Sequence, residues 1–131
     1  LFFTEKTYKP IAIGHPFMVF GTAGTLEAFR NKGYETFPEL FDESYDNEYD
    51  YLKRIEIVVS EIERFSKMSL DELKEIRIEM ENVLNFNYNR YIEIVESKYD
   101  FDVKTGKFLS PYKPVTDKLS NLYEKLNNRG M

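Results

Sequence analysis

From Tyr51 to Tyr99 the chain contains neither glycine nor proline, and no other feature constrains its folding as strongly. Sheets and hairpins need turn residues at short intervals, and this stretch has none, so it reads as helix throughout. Leu52, Ile55, Val59 and Ile62 recur every three or four residues and make one apolar stripe. Ser69 followed by Glu72 is a capping box that opens a second helix. Leu73, Ile76, Met80, Val83 and Leu84 carry its stripe, and Tyr88, Tyr91, Ile92 and Val95 extend it. The expectation for residues 51–99 is an antiparallel helical pair joined at Lys67-Met68-Ser69. Asn85 to Asn89 is its weak point, because asparagine competes for backbone hydrogen bonds.

Residues 1–50 have a different texture, with most of the glycines and prolines. Phe17-Met18-Val19-Phe20 is a continuous apolar run opened by Pro16 and closed by Gly21, the pattern of a strand buried on both faces. Glu5 to Ile13 reads as a short helix stopped by Gly14, with Pro10 to be accommodated inside it. Leu26 to Lys32 reads as another, with Gly33 as its C-terminal stop, and Tyr34-Glu35-Thr36-Phe37 alternates as a second short strand. The fold expected is therefore α/β. A partial Rossmann-like unit with short parallel strands fills residues 1–50, followed by a mostly helical C-terminal region. Residues 100–131 are expected to form a linker and a last helix striped by Val115, Leu119, Leu122 and Leu126.

Composition narrows the chemistry. The absence of cysteine removes disulfides, thiolate catalysis and cysteine metal sites, and a single histidine removes any multi-histidine centre within the chain. No metal ligands and no cofactor are expected. No apolar run is long enough to span a membrane. Residues 1–50 carry four basic and nine acidic side chains, whereas residues 51–131 carry fourteen of each. The acids crowd between Glu35 and Asp50 with no lysine or arginine among them, a face that repels a phosphate backbone, so nucleic acid is not an expected partner. A cytoplasmic location is expected. The start at Leu1-Phe2-Phe3, without methionine, reads as a piece of a longer chain.

The densest polar cluster is Thr4, Glu5, Lys6 and Lys9. Lys6 and Lys9 share a face if Glu5 opens a helix, and two ammonium groups near a helix N-terminus can seat a diphosphate. Gly21-Thr22-Ala23-Gly24 is a small-residue turn whose backbone could approach a phosphate, with Gly21, Thr22 and Gly24 as candidate contacts. It matches neither the dinucleotide-binding fingerprint nor a P-loop. His15, between Gly14 and Pro16, has no orienting partner nearby in sequence and reads as structural. Asp42-Glu43-Ser44-Tyr45-Asp46 holds paired carboxylates without calcium-loop spacing, and a solvated loop is the simpler account of the acidic run.

The stretch Phe3-Thr4-Glu5-Lys6 through Gly14-His15-Pro16-Phe17-Met18-Val19-Phe20-Gly21 resembles the donor-binding motif of the fucosyltransferase-like glycosyltransferases. The string through Gly33–Phe37 and Asp42–Asp46 also looks like phage and aquatic-bacterial proteins of the same broad class. The resemblance covers about the first 40 residues and implies a two-domain GT-B architecture with a C-terminal Rossmann-like donor domain. It implies that Glu5 contacts the donor's ribose or sugar and Lys6 its phosphates. His15-Pro16-Phe17 departs from the family's small-residue approach to the strand. The acceptor-side domain and its base lie outside the chain, so no catalytic residue is assigned.

Two functions are thus expected. One is the donor-binding part of a glycosyltransferase, taking a nucleotide-sugar and a saccharide acceptor, inactive alone and completed by an N-terminal domain or by a second copy. The other is a non-catalytic structural or interaction module, with an acidic cap and helices that offer apolar stripes to a partner.

Overall fold

The computed structural model describes residues 3–99 and 101–108, in two compact units, Leu1–Tyr91 and Ile92–Met131. In the first unit α1 (Glu5–Ile13) and α2 (Thr25–Asn31) precede a 3-10 turn at Glu43–Asp46. Then come α3 (Tyr51–Ser66), α4 (Leu70–Glu79) and the start of α5 (Glu81–Tyr99). The local signals explain these ends. Thr4 caps α1 by accepting the Lys6 N–H, and Gly14 stops it at φ 66°. Pro10 is taken up inside that helix. Asp50 caps α3, and Ser69 and Glu72 form the reciprocal capping box of α4.

The α/β expectation is corrected: the first unit is helical, and no parallel strand occurs among the described residues. Phe17–Phe20 is non-helical but pairs with no strand. Its side chains settle against neighbouring elements instead. The Phe17 ring meets Phe29 and Phe37 edge-on at 5.7 and 5.3 Å, and Arg54 lies over Phe20. Tyr34–Phe37 is likewise no strand, and a side chain supplies the partner that a strand would have given. Asn87, buried on α5, accepts the Glu35 N–H at 2.8 Å and donates to the Glu35 carbonyl at 2.9 Å. A single amide side chain thus satisfies both backbone groups of Glu35 as a neighbouring strand would. A short apolar run looks the same in sequence whether it enters a sheet or packs as an extended loop, because only the missing neighbour distinguishes them.

The core is a cluster of Phe37, Leu40, Phe41, Met80 and Leu84, against which Phe17, Met18, Phe65, Ile76 and Val83 pack. A second aromatic group centres on Phe29, which stacks on Tyr34 at 4.6 Å, with Tyr8 next to Tyr34 at 6.0 Å. The expected helical pair over residues 51–99 is three helices, because the chain breaks at Met80, a core residue.

The second unit contains the last turns of α5 and a hairpin, β1 (Phe101–Asp102) and β2 (Lys107–Phe108), paired antiparallel. Asp102 ties its turn by accepting the Lys104 and Thr105 N–H groups, and Gly106 takes the left-handed backbone at φ 67°. The expected last helix with Val115, Leu119, Leu122 and Leu126 lies outside the described residues.

Candidate functional site

The turn Gly21–Gly24 precedes α2, whose first N–H groups are the ones a ligand phosphate would need. They are already taken. Asp46, only 2% exposed, accepts the Leu26 N–H at 3.0 Å through one carboxylate oxygen and the Glu27 N–H at 3.1 Å through the other. The Asp46 carbonyl also accepts the Gly24 N–H at 2.8 Å. A carboxylate at a helix N-terminus is matched in charge to the dipole and to the orphan donors. The chain's own acid therefore fills the position that the turn was expected to offer to a phosphate.

The glycines of this turn have structural reasons of their own. A Cβ on Gly21 would stand 2.6 Å from the Thr25 hydroxyl, and Gly24 sits at φ 83°, in the left-handed region. Thr22 is exposed, and its carbonyl accepts the Thr25 hydroxyl at 2.6 Å. The Gly21 carbonyl accepts from Arg54 on α3, whose Nε also donates to the Tyr45 carbonyl at 2.9 Å. Burial pushes the Tyr45 hydroxyl up to about 12, with a hydrogen bond from the Val19 backbone acting against it.

Thr4 is the α1 cap, and Glu5, Lys6 and Lys9 are exposed on that helix. Lys6 lines a shallow groove of about 200 Å³ with Thr7, Pro10 and the run Phe17–Phe20. The lining of that groove stops short of Gly21, so the two halves of the expected donor site do not share it. Lys9 and Glu5 are not part of it either.

The acidic run is mostly a set of backbone caps. Hydrogen bonds from the Ser44 side chain and from its N–H hold the Asp42 carboxyl below the usual range. Glu43 accepts the Phe37 N–H at 2.7 Å and the Thr36 hydroxyl at 2.9 Å, and Arg30 donates to it at 3.4 Å. Asp50 accepts the Leu52 and Lys53 N–H groups at the start of α3. Among the described residues, no group of three or more carboxylates or histidines is placed to hold a metal ion.

The unexpected feature is the orientation of α3. Its buried side chains are Arg54 and Glu61, both charged. Arg54 satisfies two loop carbonyls, as above. Glu61 accepts the Asp42 N–H at 3.2 Å and pairs with Arg64, whose guanidinium donates to the Leu40 carbonyl at 2.6 Å. The hydrogen bonds of Arg64 hold the Glu61 carboxyl below its usual range. Each such loop group, left unpaired in the interior, would cost about 1–3 kcal/mol. Polar satisfaction, together with Phe65 packed on the core cluster, thus sets which side of α3 faces inward.

Most of the apolar stripe is left outside, with Ile55 half-buried. Leu52 is 70% exposed, Ile62 59% and Val59 44%, with Tyr51 alongside. Glu56 and Glu63, also exposed, run along one edge of the stripe. A second apolar surface is an open groove of about 370 Å³, floored by Leu40, Phe41, Phe65, Leu70, Leu73 and Ile76.

No protein-family model, curated protein or solved structure matches this chain. No helix among the described residues is long and apolar enough to cross a membrane.

Proposed function

We propose that this chain is a non-catalytic protein-interaction module, and that the outward stripe of α3 receives an amphipathic helix with lysine or arginine beside its apolar anchors. The observation that carries this reading is the orientation of α3, which buries Arg54 and Glu61 and leaves Leu52, Val59 and Ile62 in water. An apolar row at helical spacing on an otherwise charged surface suits helix-on-helix recognition. Fully covering a leucine, valine or isoleucine side chain contributes about 1.5–3 kcal/mol, reduced by the cost of association.

Charge selects the partner. Glu56 and Glu63 flank the stripe on one side, and the other side carries Tyr51, Val58 and Phe65, none of them basic. Two copies of α3 packed antiparallel would set Glu56 and Glu63 against the same pair, a like-charge arrangement that disfavours self-association. A basic-flanked helix meets no such penalty.

The glycosyltransferase reading has lost the Rossmann-like unit on which it leaned, and the α2 N-terminus is capped by Asp46. It is not the function proposed.

The test is fluorescence anisotropy with two labelled synthetic helical peptides that share the same leucine and isoleucine anchors, one flanked by lysine and the other by glutamate. The lysine peptide is expected to bind at least tenfold more tightly, and the double change Val59→Asp with Ile62→Asp should abolish its binding. Equal affinity for both peptides, or unchanged binding by the double variant, would overturn the proposal. A dimer of the chain that excludes both peptides would do the same.

A further inference from the structure

The apolar groove along α4 carries a different ligand chemistry, independent of the stripe on α3. Its floor is continuous with the core: Leu40 and Phe41 belong to the core cluster, and Phe65 lies 5.0 Å from Phe41, ring to ring. Three backbone groups of that floor are spoken for. The Leu40 and Phe41 N–H groups both donate to the Phe37 carbonyl, at 3.0 and 2.9 Å, and the Leu40 carbonyl accepts from Arg64. A ligand lying along Leu40 and Phe41 therefore finds few open backbone groups. An extended peptide would leave its amides unpaired there, whereas a hydrocarbon chain has none to lose.

Lys74 and Arg77 bring two cationic side chains to the lining, which His15 and Pro16 complete. Lys74 and Arg77 are three residues apart on one face of α4. The ion pair of Lys74 with Asp71 is long, at 3.4 Å, with the two side chains 63% and 89% exposed, so an incoming anion can replace it. A volume of about 370 Å³ with an apolar wall and a few polar groups is that of a small-molecule pocket.

We propose that this groove binds a free long-chain fatty acid, its hydrocarbon chain along Phe41, Phe65, Leu73 and Ile76 and its carboxylate between Lys74 and Arg77. The pairing of a largely apolar lining with two cationic side chains selects an anionic amphiphile over an uncharged one. No bond is made or broken; the site holds its ligand.

The experiment is isothermal titration of the whole chain with oleate below its micelle concentration, beside oleate methyl ester and acetate. Oleate is expected to bind saturably at one site, the ester at least tenfold more weakly, and acetate not at all. The double change Lys74→Gln with Arg77→Gln should bring oleate down to the affinity of the ester, with the unfolding midpoint unchanged. Leu73→Arg should weaken oleate and ester alike by blocking the floor. Equal affinity for oleate and ester, or an unaltered oleate affinity in the Lys74/Arg77 variant, would overturn the proposal. So would absence of saturable oleate binding, or displacement of an apolar reporter dye by an acidic helical peptide but not by oleate.

Discussion

At the residue scale, Asp46 decides more than any other side chain about what the first unit can do. It closes the first turn of α2 with both carboxylate oxygens and holds Gly24 with its carbonyl. Asp46→Ala would strand two backbone N–H groups in a nearly dry site, so it should cost about 2–4 kcal/mol in urea unfolding. A loss below about 0.5 kcal/mol would show that the cap is not structural. Tyr34 gives a complementary case. Its hydroxyl is buried and has no hydrogen-bond partner among the described residues, and burial, helped by Tyr8, pushes it up to about 12. Tyr45 is raised to about 12 in the same way. Both favour the neutral phenol in the folded state. The stability they contribute is full below pH 10, the ordinary tyrosine value, and is lost as pH rises from there through about 12. Tyr34→Phe should weaken this alkaline loss and raise neutral-pH stability by about 1 kcal/mol, since it removes an unpaired buried hydroxyl. A Tyr34→Phe variant that unfolds at lower urea would contradict that account.

At the scale of elements, the sequence is legible where a signal is local. Thr4 and Gly14 mark the ends of α1, and the Ser69–Glu72 box marks the start of α4, because caps are read from side chains within three residues of the helix end. It is illegible where a partner comes from far along the chain. The Phe17–Phe20 and Tyr34–Phe37 runs have strand-like composition, yet the group that pairs with Glu35 is the amide of Asn87, fifty-two residues away. In the sequence the same asparagine reads only as part of a weak point in a helix. The small-residue turn at Gly21–Gly24 reads as a close backbone approach, but nothing local shows that the approaching groups are Asp46 and Arg54 rather than a ligand. The β1–β2 hairpin stands where a linker is expected, its turn made by Asp102 and by Gly106 in the left-handed region.

At the scale of the whole molecule, the question is which apolar surface serves as core. Leu52, Ile55, Val59 and Ile62 form the cleanest periodic stripe, and periodicity identifies an apolar face without saying what covers it. The core is built instead from the less periodic aromatics of residues 17–41 with Met80 and Leu84, and the loops of residues 21–46 draw Arg54 and Glu61 inward to satisfy their backbone. The charge asymmetry of the chain has the same origin, since most acids between Asp42 and Asp50 are tied to backbone N–H groups. The acids of the Asp42–Asp50 segment are thus largely consumed by the fold, while two apolar surfaces stay open: a helical stripe edged with glutamate and a groove with Lys74 and Arg77 in its lining.

The central claim is that the stripe of α3 is surface. It is tested most directly by urea unfolding of the chain carrying Leu52→Gln, Val59→Gln and Ile62→Gln together. Glutamine keeps the helix propensity while removing the apolar side chains. The stability predicted for the triple variant lies within about 1 kcal/mol of the parent, the sum of small surface effects. A loss of about 5 kcal/mol or more, as three core truncations would give, would show that the stripe is buried and that α3 faces the other way.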